Sequence, residues 1–210
     1  MKRIALFFLF TCLVLTLSAQ EGGIPVKYQG AKPTISDFVT AYVSTNNEDD
    51  EDGEYNESFN AFCSAWERHQ KGLPMEEGED FSETLTVDER NGYVCYERRH
   101  DGGWLSRWET CYWNESDGKH KLFAYNVSCF KDGQYDPGQY DGLIFYRYDN
   151  ATKTMTWCED PGISQRCSND DGEWLSYALP RTGKDITVTI WHKSGPSQKT
   201  LRWNGRKFSY

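Results

Sequence analysis

The sequence predicts an α+β fold in which two N-terminal helices pack on a mainly antiparallel β-sheet that is stapled by disulfides. Three observations lead to this prediction. Two apolar stripes with helical spacing lie within residues 33–70, alternating segments separated by turn residues follow from Ser82, and six cysteines lie beyond residue 20. The pattern leaves open whether the sheet is open or curls into a barrel.

The two helices are predicted from apolar residues spaced i, i+3, i+4 and i+7. The first begins near Thr34, which can cap it, with Asp37 three residues later at the positive end of the helix dipole. The second runs from about Asn56 to Gln70 and ends before Pro74. We expect both stripes to face the core; they comprise Ile35, Phe38, Val39 and Tyr42 in the first helix and Phe59, Phe62, Cys63 and Trp66 in the second.

An acidic segment at residues 48–54 joins the two helices, and a second one follows at residues 76–80. A calcium-binding EF-hand loop with Gly53 at its sixth position would start at Glu48 and end at Phe59, where a bidentate glutamate is required. Because phenylalanine cannot bind calcium, we interpret the segment as a solvated acidic loop. The sequence predicts neither a metal site nor a cofactor.

The strands are predicted from alternating apolar and polar residues between turn residues. They cover residues 92–99, 107–114, 121–127, 143–148, 153–158 and 185–193. At the C-terminus, Asn204-Gly205 indicates a hairpin turn that places Leu201, Trp203, Phe208 and Tyr210 on one face. The pattern Asp-Gly-x-Trp-Leu-Ser occurs at residues 101–106 and again at 171–176, either as a duplicated unit or as a reused turn and strand.

The N-terminus has the features of a secretory signal peptide. Lys2 and Arg3 precede an apolar run from Ile4 to Leu17, and small residues come before Gln20. We therefore predict a signal peptide at residues 1–19, a flexible segment at residues 20–32 and a single α+β domain at residues 33–210. The mature chain is expected to be secreted or periplasmic and to have no membrane span, because no second apolar stretch is long enough.

Size and charge exclude several classes of protein. The chain has 210 residues, 23 of them basic and 32 acidic, for a net charge of −9. This length fits one domain rather than a multidomain enzyme. The acidic balance argues against nucleic acid as a partner, since nucleic-acid-binding proteins present a basic face to the phosphates.

The cysteines predict disulfide bonds in an exported chain. Cys12 leaves with the signal peptide, and six cysteines remain. A hairpin centred on Gly103 would place one pair on opposite strands, a short loop would join a second pair, and elimination leaves a third. These predicted pairs are Cys95–Cys111, Cys158–Cys167 and Cys63–Cys129.

Catalytic signatures are missing from the sequence. It contains no His-Glu-x-x-His zinc motif, no Gly-x-Ser-x-Gly nucleophile elbow and no phosphate-binding loop. A pair of carboxylates could serve a hydrolase, but 32 acidic residues make some pair inevitable. The sequence thus favours a non-catalytic binding domain, with a small extracytoplasmic hydrolase or a structural envelope component as the alternatives.

Aromatic residues make up 15% of the chain, which suits a surface that binds a glycan or a protein. They are densest between Tyr93 and Trp113. Alternation places Trp113 on the same face as the predicted Cys95–Cys111 disulfide, so we expect Trp113 to lie in the core. Trp108 falls on the opposite face, where we expect it to be exposed. The predicted ligand-binding residues are Trp104, Trp108, Arg98 and Arg107.

Overall fold

The computed structural model describes residues 23–48, 57–138, 141–159, 161–163, 168 and 172–210. The predicted signal peptide and most of the acidic segment between the helices lie outside these ranges. The elements are β1 (Ile24–Pro25), α1 (Ile35–Glu48), α2 (Glu57–Gln70), β2 (Phe81–Asp88), β3 (Tyr93–His100), β4 (Trp104–Asn114), β5 (His120–Lys131), β6 (Gln134–Tyr135), β7 (Gly142–Asp149), β8 (Thr154–Trp157), β9 (Trp174–Ala178), β10 (Ile186–His192), β11 (Gly195–Trp203) and β12 (Phe208–Ser209).

The predicted α+β class with two helices and antiparallel strands is confirmed. The larger sheet has eight strands in the order β1-β8-β7-β5-β4-β3-β2, with β6 added to the end of β5, and it curls into a half-barrel. The smaller sheet has the order β12-β11-β10-β9. Neither α1 nor α2, the two helices in the described ranges, is long and apolar enough to cross a lipid bilayer.

The two helices cover one face of the large sheet. The Asp37 carboxylate accepts a 2.7 Å hydrogen bond from the Thr34 backbone N–H, as expected for the predicted cap. Both predicted stripes are buried. The ring centres of Phe38 and Tyr148 are 5.1 Å apart, and the Phe62 ring stacks on Trp108 with ring centres 5.4 Å apart. Aromatic side chains therefore fill much of this helix–sheet core.

The small sheet covers the opposite face of the large one. Within β5 the side chains alternate, so that Phe123 faces the helices while Leu122 and Ala124 face the small sheet. The small sheet contributes Val188 and Leu201, both fully buried, to this second core. The large sheet is thus buried on both faces in a three-layer arrangement.

The described part of the segment predicted to be flexible, residues 23–32, contributes a short strand to the large sheet. Ile24 and Pro25 form β1, which pairs with Met155 and Thr154 of β8 at one edge of the large sheet. Ile24 and the following Val26 are buried in the helix–sheet core. These two side chains attach the start of the described chain to the large sheet, and the predicted flexibility of residues 20–32 stays a prediction.

The predicted disulfide staple is wrong for two of the three pairs. The β3–β4 hairpin is centred on Gly102, since His100 pairs with Trp104, and this moves the register by two residues from the prediction. Glu109 therefore lies opposite Cys95, and Cys111 is a diagonal neighbour. Diagonal neighbours are about 7–8 Å apart, beyond the reach of a disulfide.

The predicted Cys63–Cys129 bond is also absent. Cys63 lies on α2 in the helix–sheet core, whereas Cys129 Sγ lies 3.8 Å from Ser106 Oγ near the end of β5. The four thiols of Cys63, Cys95, Cys111 and Cys129 are all free. Cys167 lies outside the described residues, so the predicted pairing with Cys158 is not tested.

We expect the four free thiols to survive purification in air. Burial raises the pKa of Cys63 to about 12 and that of Cys95 to about 11, and the thiolate is the form that reacts. Alkylation of the unfolded, unreduced protein followed by mass spectrometry should modify all four. Recovery of a peptide that joins any two of them would contradict this fold.

Candidate ligand-binding cleft

A cleft of about 410 Å³ opens beside the β3–β4 turn. The turn contains Gly102 and Gly103, with φ angles of 79° and 83°, a conformation that side chains disfavour. A Cβ on Gly103 would also lie 2.0 Å from Asp132 Oδ1. Glycine at this position lets the β5–β6 turn approach closely, and this approach shapes the cleft.

The neighbouring turn braces the position of Trp104. Asp132 donates a 2.9 Å backbone hydrogen bond to the Gly103 carbonyl, and Lys131 Nζ donates one to the Gly102 carbonyl. The same ammonium group lies 4.8 Å from the centre of the Trp104 ring, a cation–π contact. These contacts hold an indole that is still 43% exposed.

The floor of the cleft is apolar. Leu105 pairs with Phe130 across β4 and β5, and both line the cleft. Behind this floor the Phe130 ring packs against the rings of Tyr135 and Trp191, with ring centres 5.7 Å and 6.3 Å away. The floor therefore rests on an aromatic group that links the large sheet to the small one.

One wall of the cleft carries positive charge. Arg107 and Arg99 both line it, and both bind the carboxylate of Glu97, at 2.7 Å and 2.8 Å respectively. Burial alone would raise the pKa of Glu97, but hydrogen bonds and charge from the two arginines outweigh burial and lower it. One carboxylate between two guanidinium groups leaves a net positive charge, and none of the described residues lining the cleft is acidic.

Two of the four predicted ligand-binding residues lie elsewhere. Trp108 was expected to be exposed but is only 4% exposed, because α2 covers its face of the sheet. Arg98 points to that same side, with its guanidinium 4.2 Å from the centre of the Phe81 ring. The structure brings only Trp104 and Arg107 together in the cleft.

The remaining lining residues were not selected from the sequence; they are Arg99, His100, Gly103, Leu105, Phe130 and Gly133. Alternation along β4 places Leu105 on the same face as Arg107, which is a signal for part of this set. Phe130 and Gly133 come from another hairpin, and only the pairing of β4 with β5 brings them near.

A buried carboxylate lies on the same face of β4, two residues beyond Arg107. Glu109 is 4% exposed, and it accepts hydrogen bonds from the Tyr93 hydroxyl at 2.8 Å and from Asn126 Nδ2 at 3.3 Å. Burial raises its pKa, although hydrogen bonds from Tyr93 and the charge of Arg107 act in the opposite direction. Since Glu109 is buried and Glu97 is bound by two arginines, these two carboxylates do not form the accessible acid–base pair that a hydrolase of this type needs.

One turn brings together side chains that can bind metals. Ligand atoms of Glu115, Asp117 and His120 lie within 4.8 Å of one another. Each already has a protein partner: Arg147 Nε lies 2.7 Å from Glu115 Oε1, and His120 Nδ1 lies 2.5 Å from Asp117 Oδ2. Because these bonds already stabilise the β4–β5 turn, we assign no metal to the cluster.

Comparison of the chain with protein-family models, with curated proteins and with solved structures finds no match.

Proposed function

We propose that this protein is an exported binding module whose cleft takes an acidic glycan, one with carboxylate groups on its sugar rings. The observation that carries the proposal is the exposed Trp104 ring beside two arginines that share one carboxylate. An indole face stacks on the apolar face of a sugar, and a guanidinium group binds a carboxylate through paired hydrogen bonds. The volume of the cleft lies within the range of small-ligand sites.

The charge distribution supports an anionic rather than a neutral ligand. The chain as a whole has a net charge of −9, so a positive wall is a local departure from its surroundings. Arg99 is the more exposed of the two arginines and can turn toward a ligand while Arg107 keeps its bond to Glu97. The apolar floor of the cleft, formed by Leu105 and Phe130, then contacts the apolar face of the sugar ring.

We expect Trp104→Ala to weaken binding of an oligogalacturonate by about 2 kcal/mol, or roughly 30-fold, as for a hot-spot aromatic residue. Titration calorimetry with the full chain would measure this loss. Trp157→Ala is the matched control, because Trp157 is 61% exposed and is not among the lining residues of the cleft. Arg99→Met should remove the preference for the acidic oligosaccharide over its methyl ester.

Two results would contradict the proposal. Equal affinity of the wild type for the oligogalacturonate and its methyl ester would remove the role of the arginines. Unchanged affinity of Trp104→Ala would show that any sugar binds elsewhere. Binding of a protein partner that competes with no glycan would instead favour a protein–protein interaction surface.

A further inference from the structure

A serine, a histidine and a glutamate are linked by hydrogen bonds at one end of the small sheet. His192 Nε2 lies 2.8 Å from Ser197 Oγ, and His192 Nδ1 is hydrogen-bonded to Glu173 Oε1. Glu173 comes just before β9, His192 ends β10 and Ser197 lies in β11. A nucleophile, a base and a carboxylate that orients the base, linked in this order, are the groups used for acyl transfer, and they are recognised by geometry rather than by sequence order.

The sheet register explains how these three side chains meet. Ser197 pairs with Ile190, whose side chain is buried in the second core, and His192 follows Ile190 by two residues on the same face. Glu173 similarly precedes the buried Leu175 by two residues. The three residues thus extend the inner face of the small sheet beyond its buried part, and Ser197 is exposed there.

The carboxylate fixes the form of the imidazole that a general base needs. An ionised glutamate can only accept a hydrogen bond, so Nδ1 of His192 must carry the ring proton. The lone pair on Nε2 then faces the hydroxyl of Ser197. A histidine bonded to the serine alone could adopt either tautomer, so Glu173 acts as a positioning residue.

We propose that Ser197, His192 and Glu173 hydrolyse carboxylic esters with short acyl groups. Ser197 Oγ bonds to the carbonyl carbon while its proton passes to His192 Nε2; the bond from that carbon to the alcohol oxygen then breaks, and the alcohol takes the proton. Water next attacks the acyl carbon and gives a proton to His192, and the Ser197–acyl bond breaks as the serine regains that proton. Because Ser197 is exposed, an ester that projects from a larger molecule suits it better than a long acyl chain.

A fluorophosphonate probe and p-nitrophenyl acetate test this activity on the full chain. We expect the probe to label Ser197, as located by peptide mapping, and p-nitrophenolate release to fall at least tenfold in Ser197→Ala and in His192→Gln. Glu173→Gln should keep part of the rate but change its pH profile, which a purely structural role would not do. Ser194→Ala is the matched control, since Ser194 is also exposed and lies in the turn between β10 and β11, three residues before Ser197.

Labelling of the wild type depends on no variant, so it decides the question even if a variant fails to fold. A wild type that is not labelled at Ser197 would overturn the proposal. So would equal ester hydrolysis by the wild type and Ser197→Ala. Neither outcome bears on glycan binding, because the three residues lie outside the lining of the cleft.

Discussion

Trp108→Ala is expected to lower the free energy of unfolding by about 3–5 kcal/mol, the usual range for removing a buried aromatic side chain. The indole stacks on Phe62 at 5.4 Å and on Tyr125 at 5.8 Å, and its Nε1–H donates a 2.8 Å hydrogen bond to Ser58 Oγ. Truncation therefore leaves a cavity between α2 and the sheet and removes the donor to Ser58. Urea denaturation followed by circular dichroism would measure the loss.

Two other tryptophans provide the comparison. Trp113→Ala should cost a similar amount, because the Trp113 ring packs against Phe208 at 5.1 Å in the second core and its Nε1–H bonds to the Lys184 carbonyl. Trp104→Ala should change stability by no more than about 0.5 kcal/mol, as is typical of exposed positions. Equal stability of Trp108→Ala and Trp104→Ala would contradict the packing of α2 over Trp108.

The sequence predicts which face a side chain occupies better than it predicts what covers that face. Alternation correctly placed Trp113 and Trp108 on opposite faces of β4. The error on Trp108 came from treating the face opposite the predicted disulfide as solvent-exposed, whereas the sheet is buried on both sides. A second layer that covers the outer face comes from residues far away in the chain, and periodicity within one strand carries no information about it.

The register of β-hairpins is a second feature that the sequence predicts poorly. A shift of one residue would reverse the faces of a strand, so the apolar pattern detects it, but a shift of two residues preserves the faces and goes unnoticed. This happened at Cys95, which faces Glu109 rather than Cys111. It happened again at the C-terminus, where Trp203 pairs with Phe208 around a longer turn than Asn204-Gly205 suggested. The predicted faces of Leu201, Trp203 and Phe208 are nevertheless confirmed by their burial, whereas Tyr210, predicted on the same face, is 68% exposed.

The cleft was predictable only in part, for the same reason. Trp104 and Arg107 lie in the stretch where aromatic and arginine residues are densest, and composition was enough to select them. Phe130 joins them because β5 pairs with β4, and Glu97 acquires its two arginines through the register of β3 with β4. Contacts between strands decide these positions, and the pattern of a single strand cannot supply them.

Glu109→Ala is expected to lower the free energy of unfolding by about 3 kcal/mol, because each buried donor left without an acceptor costs roughly 1–3 kcal/mol. Removal of the carboxylate takes the Glu109 acceptor from the Tyr93 hydroxyl and, at 3.5 Å, from the Leu179 backbone N–H. Asn126 Nδ2 also loses a bond to Glu109 but still donates to Ser128 Oγ and to the Tyr177 carbonyl. Leu179 packs in the core between the two sheets, so this group also ties the small sheet to the large one. Urea denaturation at pH 7 would measure the effect.

Glu109→Gln separates the hydrogen bonds from the charge. The amide oxygen can still accept from Tyr93, but the side chain no longer ionises. Burial raises the pKa of Glu109 in the folded state above the ordinary value of 4.5, so the folded protein holds this proton more tightly than the unfolded chain does. The stabilisation that the protonated Glu109 side chain gives to the folded state is complete below pH 4.5 and is lost as the pH rises through the folded-state pKa.

The free energy of unfolding of the wild type should therefore fall relative to that of Glu109→Gln between pH 5 and pH 8, by on the order of 1 kcal/mol for each unit by which the pKa is raised. Asp88 and Asp117, with pKa values of about 2, stay ionised throughout this range and do not disturb the comparison. A difference between the two proteins that does not vary with pH would show that Glu109 ionises in the folded protein as readily as in the unfolded chain.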